Sequence, residues 1–195
     1  MRIVIDGNIG SGKTTQLGLL EKKGWEVRKE PIEEWPLKEF YEDQVRWAFL
    51  LHMRILQTMK YTNCLKNTIY ERSMWSSRWV FWPLIQDRLH PIERDAYEKQ
   101  FREDVWFPDI YIYLAKDPGV CLDHIMARGQ TGDGAITLEY LNKLDEMYKT
   151  LVESLPIQRK YVVDANQSVE KVHQDISKIL EENELLFSDS KRGQM

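Results

Sequence analysis

Hydrophobic and polar residues follow two alternating patterns along the chain. Short apolar runs predict β-strands, and between them apolar residues recur at the spacing of one face of an α-helix. Because helices separate successive strands, the pattern predicts an α/β fold in which helices cover both faces of a parallel sheet. The predicted strands are RIVID (2–6), WEVRK (25–29), NTIYE (67–71), DIYIYL (109–114) and KYVVDA (160–165).

The same pattern gives the organisation of the chain. No repeat or linker interrupts it, so we predict a single domain over residues 1–187 and a disordered polar tail over 188–195. Residues 128–137, RGQTGDGAIT, are rich in glycine and charge and lie between two helical segments, which predicts a mobile lid loop. Trp75, Trp79 and Trp82 recur at helical spacing and are expected to pack in the core.

Composition narrows the possible partners. The chain has 27 Lys and Arg against 31 Asp and Glu, a net charge of −4 that argues against a nucleic-acid polymer as partner. Its two cysteines, Cys64 and Cys121, form no disulfide or zinc pattern. No apolar run approaches the ~20 residues of a membrane span, and the first strand leaves no room for a leader, so we expect a cytoplasmic protein without a membrane partner.

The stretch GNIGSGKTT carries the strongest chemical signal. Gly7, Gly12, Lys13 and Thr14 satisfy the spacing G-x-x-x-x-G-K-S/T between a predicted strand and a predicted helix. Such a loop holds the phosphates of a nucleoside triphosphate on backbone N–H groups, while the lysine reaches the β- and γ-phosphates and the Thr14 hydroxyl binds Mg²⁺. The predicted nucleotide-binding residues are Gly7, Asn8, Ile9, Gly10, Ser11, Gly12, Lys13, Thr14 and Thr15. The loop alone does not separate a kinase from a GTPase, ATPase or helicase.

Charged residues follow the second and third predicted strands. Pro31 ends the second strand directly after Glu30, and Glu71 and Arg72 follow the third. Parallel strands bring these ends to the same sheet edge as the glycine-rich loop. A base, a carboxylate facing a metal and a cation are what phosphoryl transfer to an alcohol requires. The pattern by itself is equally typical of solvated charges at strand ends.

Beyond these features, the chain resembles the deoxyribonucleoside kinases of the mitochondrial thymidine kinase, deoxycytidine kinase and insect multisubstrate type. The resemblance extends from Met1 to about Ala165. It implies a P-loop nucleoside-kinase fold with a five-stranded parallel sheet, usually a homodimer, that transfers the γ-phosphate of ATP to the 5′-hydroxyl of a deoxynucleoside. The matching segments are GNIGSGKTT, EPIEEW, FYED with RWAFLLHMRILQ, ERSMWSSR, YIYL, DPGVCLDHIMARG, LEYL and VVDA.

The resemblance also implies roles for individual residues. Glu30 would take the proton of the 5′-hydroxyl, Arg72 would hold that hydroxyl and the passing phosphate, and Glu71 would lie beside Mg²⁺. Trp35 would form a wall for the base, Tyr41 would bond the sugar 3′-hydroxyl, and Arg128 would close from the lid onto the phosphates of ATP.

Three positions depart from the family pattern. His52 stands where a glutamine usually bonds the base edge, and a neutral imidazole cannot reproduce the two bonds of an amide. In the lid, Gln130 replaces a second arginine. The carboxylate that helps hold the 3′-hydroxyl is expected in the helix after LEYL, where the chain has Lys149, so Glu146 one turn earlier is the nearest substitute.

Two uncharged residues bear on base preference. Related kinases that read cytosine use an Arg and an Asp at the positions where this chain has Met59 and Ser77. The smaller, uncharged pair leaves room for the methyl group of thymine. We therefore expect pyrimidine deoxynucleosides as substrates, with thymidine and deoxyuridine accepted together with deoxycytidine.

Two other functions are alternatives to that of a deoxynucleoside kinase. A thymidylate kinase would place arginines near the acceptor monophosphate, where Glu30 would repel it. A non-catalytic nucleotide-binding protein would account for the altered lid and base-reading positions, but it would not need Lys13, Glu30, Glu71 and Arg72 together.

Overall fold

The computed structural model describes residues 1–60, 67–130 and 132–192, with backbone alone for residues 184–192. Five strands form one parallel sheet in the order β2-β3-β1-β4-β5, which confirms the predicted α/β fold. Each strand overlaps a predicted apolar run. The strands are β1 (Arg2–Gly7), β2 (Glu26–Arg28), β3 (Thr68–Glu71), β4 (Ile110–Ala115) and β5 (Lys160–Asp164).

Helices connect the strands, and several begin at a side-chain cap. Asp43, Asp117 and Thr137 each accept hydrogen bonds from backbone N–H groups of the first turn that follows. The helices are α1 (Lys13–Lys22), α2 (Leu37–Glu42), α3 (Gln44–Met59), α4 (Met74–Ser76), α5 (Pro91–Asp104), α6 (Pro118–Arg128), α7 (Leu138–Ser154) and α8 (Val169–Arg192).

Two apolar layers cover the sheet because successive strand side chains point to opposite faces. In β1, Ile3 and Ile5 pack in one layer with residues of α1 and α8, including Leu17 and Ile176. Val4 packs in the other layer, which includes buried residues of α3, α5 and α7. Both faces are therefore buried, as an all-parallel sheet requires.

The strand order places three connections beside one another. β1 is central and pairs with β3 on one side and β4 on the other, and Ile5 is in register with Glu71. The loop after β1 and the turn after β3 therefore lie at the same sheet edge. β2 pairs with β3, so the segment that begins at Lys29 reaches this edge as well.

The tryptophan trio does not share one face, contrary to expectation. Trp82 is fully buried, whereas Trp79 is 47% exposed and lies against Arg78. Residues 77–81 form a π-helical turn, which has more residues per turn than an α-helix, so the α-helical spacing no longer applies there.

Two other regions bear on the sequence predictions. Helix α8 extends to Arg192, five residues into the predicted tail, whereas residues 193–195, Thr131 of the lid and Cys64 lie outside the described residues. Throughout the described ranges, no helix has the length and apolar character needed to cross a membrane.

Candidate active site

The glycine-rich loop is packed tightly between β1 and α6. Gly10 and Gly12 have φ values of 80° and 94°, in the left-handed region that favours glycine. A Cβ atom on Gly10 would lie 2.4 Å from the backbone oxygen of Cys121, so a larger residue would displace the loop from α6. The loop leads directly into the N-terminus of α1, which is a favourable position for a bound phosphate.

Lys13 is buried against this loop. Its ammonium donates hydrogen bonds to the carbonyl oxygens of Gly7 (3.1 Å) and Asn8 (2.8 Å). Burial, reinforced by the charge of Arg72, lowers the pKa of Lys13 to about 8. A polyphosphate beside the ammonium would favour its charged form.

Thr14 and Glu71 bring oxygen atoms together beside the loop. The Thr14 hydroxyl donates to Glu71 Oε1 at 2.6 Å, and Glu71 Oε2 accepts from the backbone N–H of Glu30 at 3.4 Å. Oxygen ligands of this kind suit Mg²⁺.

Arg72 and Glu30 form an ion pair at the centre of the site. The distance from Arg72 Nε to Glu30 Oε1 is 3.0 Å, and both side chains are largely shielded from solvent. Burial raises the pKa of Glu30, while the neighbouring guanidinium opposes that effect. The structure therefore joins the ends of β2 and β3 to the loop after β1, as the sequence predicts.

Asp6 and Tyr148 complete this arrangement, and sequence reasoning missed both. Asp6 Oδ1 accepts from the Tyr148 hydroxyl (2.9 Å) and from the N–H of Gly7 (2.9 Å), and Arg72 Nη1 donates to the Tyr148 hydroxyl. Tyr148 shares the buried stripe of α7 with Leu141, Leu144 and Leu151, so the only sequence signal was helical periodicity. We call Asp6, Lys13, Glu30, Glu71, Arg72 and Tyr148 the charged cluster.

In the lid, a bidentate ion pair joins Arg128 and Asp133, with nitrogen–oxygen distances of 2.9 and 2.8 Å. Asp133 is buried and also accepts from the backbone N–H of Gln130. Tyr41 lies against Gly132, and its ring carbons occupy the space that a Cβ atom on Gly132 would need. Burial raises the pKa of Tyr41, and the charge of Asp133 adds to this effect. The lid and α2 therefore meet at Tyr41.

A second group of side chains surrounds His52. Its ring lies edge-on to Trp82 and Tyr97 at centroid distances of 5.4 and 6.1 Å, and those two rings stack at 3.6 Å. The Ser77 hydroxyl is 3.3 Å from that of Tyr97. Burial lowers the pKa of His52 to about 4, and its Nδ1 atom has no hydrogen-bond partner within the described part of the chain. We call His52, Ser77, Trp82 and Tyr97 the aromatic cluster.

The remaining predicted site residues differ in burial and in their contacts. Met59 lies on the buried face of α3 with His52. The Trp35 indole donates to Thr58 on α3 at 2.9 Å, so Trp35 is fixed against the helix that carries His52. Glu146, by contrast, is exposed on α7.

The inward face of α7 carries residues other than the one predicted to hold the 3′-hydroxyl. Lys149 is also exposed and pairs with Asp145 at 2.7 Å, whereas Leu144 and Tyr148 are buried. The carboxylate whose charge acts on Tyr41 is that of Asp133, next to Gly132 in the lid. The sequence signal that could have pointed to Asp133 was its position within the charged lid segment.

A glycine-rich phosphate loop beside a carboxylate–guanidinium pair defines a P-loop phosphotransferase site. Comparison with known families agrees. The model of the deoxynucleoside kinase family matches residues 3–187, and the chain belongs to this family.

Individual relatives show how far the similarity extends. Putative kinase protein 029R of Invertebrate iridescent virus 3 is 32% identical over 186 residues, covering 91% of this chain and 95% of the relative. Human deoxycytidine kinase is 29% identical over 192 residues, covering 73% and 72%. The solved structure of a deoxyadenosine kinase from M. mycoides, with products dCMP and a flexible dCDP bound, superposes with a TM-score of 0.82. It is 25% identical and covers 93% of this chain and 99% of that one.

Proposed function

We propose that this protein transfers the γ-phosphoryl group of ATP to the 5′-hydroxyl of pyrimidine deoxynucleosides, thymidine among them, in nucleotide salvage. The observation that carries the proposal is the Glu30–Arg72 pair beside the phosphate loop, with Nε and Oε1 3.0 Å apart. A carboxylate there can accept a proton from an alcohol, and the adjacent guanidinium can stabilise the charge of the phosphoryl group in flight.

The proton moves from the 5′-hydroxyl to a carboxylate oxygen of Glu30 as the hydroxyl oxygen attacks phosphorus and the bond to the β-phosphate oxygen breaks. Because burial raises the pKa of Glu30, its carboxylate is a stronger base than an exposed one. Lys13 would compensate charge on the β- and γ-phosphates, and Arg128 would approach them after leaving Asp133. Binding of ATP must therefore compete with the Arg128–Asp133 pair.

Mg²⁺ bound with ATP would neutralise phosphate charge. Thr14 and Glu71 would hold it, since their oxygen atoms meet at the loop. Among the residues that the structure describes, no group of three or more His, Cys, Asp and Glu could hold a metal. Phosphate and water oxygens would accordingly supply most of the ligands, as is usual for Mg²⁺.

For the sugar, we propose that Tyr41 and Asp133 together bond the 3′-hydroxyl. Asp133 takes the role that the sequence suggested for Glu146, because it is the buried carboxylate beside Tyr41.

The preference for pyrimidines rests on the aromatic cluster and Met59. His52 is neutral at physiological pH, and its buried Nδ1 has no partner among the residues that the structure describes, so it can make one hydrogen bond to a base edge. Ser77 is small and uncharged, which supports the acceptance of a thymine methyl group. Several relatives and structural neighbours are named for deoxycytidine or deoxyadenosine, so thymidine is the decisive substrate.

We further propose that the protein is a homodimer in the cytoplasm. Two relatives come from iridescent viruses, and for a viral source the cytoplasm would be that of the infected host cell. The exposed apolar side chains of Val45 and Leu50 on α3 support self-association. Light scattering of the purified chain should give twice the monomer mass of 23.2 kDa, and a monomer at micromolar concentration would contradict the dimer.

A substrate panel tests the reaction and its specificity. The purified chain is given ATP and Mg²⁺ with thymidine, deoxyuridine, deoxycytidine, deoxyadenosine, deoxyguanosine or dTMP. Products are identified as 5′-monophosphates of the deoxynucleosides, or as dTDP when dTMP is the acceptor. Turnover of the pyrimidine deoxynucleosides is expected. Purine turnover without thymidine turnover would overturn the assignment of Met59 and Ser77. Phosphorylation of dTMP alone would identify a thymidylate kinase, and nucleotide binding without turnover would indicate a non-catalytic protein.

A further inference from the structure

Tyr148 lies between two charged side chains that form an ion pair without a direct hydrogen bond. Asp6 Oδ1 and Arg72 Nη1 are 3.7 Å apart, beyond ordinary hydrogen-bond range. The Tyr148 hydroxyl bridges them, since it donates to Asp6 and accepts from Arg72. Its ring is fully buried and stacks against Tyr113 at a centroid distance of 5.5 Å, so packing fixes the position of the hydroxyl.

Arg72 also has an unusual backbone conformation. Its φ of 62° makes it the only non-glycine residue with positive φ in the described ranges, a conformation that is strained for a residue with a Cβ atom. The backbone N–H still bonds Ile5, and Nη1 also donates to the Gly7 oxygen at 2.8 Å. The guanidinium is thus fixed on one side, while Nε faces Glu30 on the other.

We propose that Tyr148 and Asp6 are positioning residues that orient the Arg72 guanidinium towards Glu30 and the transferring phosphoryl group. This inference rests on the proposed kinase reaction. A direct hydrogen bond to Asp6 would draw the guanidinium away from Glu30, whereas the neutral hydroxyl holds it between the two carboxylates. Tyr148 therefore acts on the rate of transfer through Arg72, without contacting either substrate.

The test compares two variants that each lose one hydroxyl from the same buried stack. Tyr148→Phe is expected to lower kcat about tenfold or more, the effect of one hydrogen bond to a charged group, with both KM values within about threefold. Tyr113→Phe removes the hydroxyl that bonds Asp145 and is expected to leave kcat within about twofold. Equal losses in the two variants would overturn the proposal.

A double-mutant cycle separates positioning from general disturbance of the core. In an Arg72→Ala background, Tyr148→Phe should cause no further loss of kcat, because its effect passes through the missing guanidinium. The same fold loss in both backgrounds would contradict positioning.

If Tyr148→Phe does not fold, as judged by thermal unfolding, Asp6→Asn takes its place in the cycle with the same expectations. A native chain that turns over none of the deoxynucleosides overturns the proposed function, and the positioning role with it. An active native chain with an additive cycle overturns the positioning role alone.

Discussion

The charged cluster and the aromatic cluster differ in how their members are held. In the charged cluster, Glu30, Glu71 and Arg72 each contact at least one other ionised or hydroxyl group, and these contacts join three strand ends. In the aromatic cluster, His52 is held by ring contacts and its Nδ1 has no partner among the described residues. Removing one member of a connected buried network leaves other charges unpaired, whereas ring contacts tolerate changes that preserve volume.

This difference predicts that substitutions in the charged cluster act on rate and that substitutions in the aromatic cluster act on selectivity and stability. The following experiments test that division in order of expected effect.

Lys13→Ala should lower kcat ~10³-fold or more, because the variant removes the ammonium that would compensate charge on the β- and γ-phosphates during transfer. Steady-state kinetics on folded protein measures the effect. Lys22→Ala, at the exposed end of the same helix, is the matched control and should be near normal. Near-normal turnover by Lys13→Ala would show that the loop does not serve phosphoryl transfer.

Glu30→Gln should lower kcat by ~10²-fold, the usual loss for a positioned general base, with deoxynucleoside binding within a few-fold. Glu33→Gln, three residues away and exposed, provides the control. The native enzyme should also lose activity as pH falls through the raised pKa of Glu30, because only the carboxylate accepts the proton. Binding lost in parallel with rate would give Glu30 a substrate-holding role instead.

His52 should make the protein less stable at low pH. Its pKa is about 4 in the folded state against 6.5 for an ordinary histidine, so the unfolded chain takes up its proton first. The unfolding free energy is therefore expected to fall as pH decreases from 6.5 to 4, by up to ~3 kcal/mol. Urea unfolding at several pH values measures this. The decrease in unfolding free energy should be smaller in His52→Gln. It should be retained in His90→Asn, which changes a histidine at an exposed helix cap. An unchanged decrease in His52→Gln would refute the argument that burial of His52 causes it.

Asp133→Asn should lower kcat/KM for deoxynucleosides ~10-fold, mainly through KM, since the variant weakens the bond to the 3′-hydroxyl. Comparing thymidine with 3′-deoxythymidine isolates that bond, because the analogue lacks the hydroxyl. The variant should discriminate less between the two nucleosides than the native enzyme. Glu146→Gln, on the exposed face of α7, should behave as native, and a larger effect there than at Asp133 would restore the original assignment.

The smallest change is expected for His52→Gln, which should leave kcat/KM for thymidine unchanged or raise it, because the amide offers two hydrogen bonds where the neutral imidazole offers one. The measurement is the ratio of kcat/KM for thymidine and deoxycytidine in the two proteins. Complete loss of activity would give His52 a role beyond base contact and would break the division between the clusters.

The sequence by itself determined the five strands, the phosphate loop and the charges that follow β2 and β3. These features depend on local rules: apolar runs form buried strands, glycines permit the loop, and parallel strands bring their carboxyl ends to one edge. Glu30, Glu71 and Arg72 meet for that reason, although 41 residues separate Glu30 from Glu71.

Only the tertiary structure decided which helix faces and lid residues complete the site. Tyr148 bonds Asp6 across 142 residues of chain, and helical periodicity does not state which buried side chain will face the phosphate loop. The π-helical turn exposed Trp79, and the path of the lid brought Gly132, next to Asp133, against Tyr41 while Glu146 remained at the surface. Such choices depend on how elements pack against one another, because the rotation of a helix and the course of a loop are set by contacts distant in sequence.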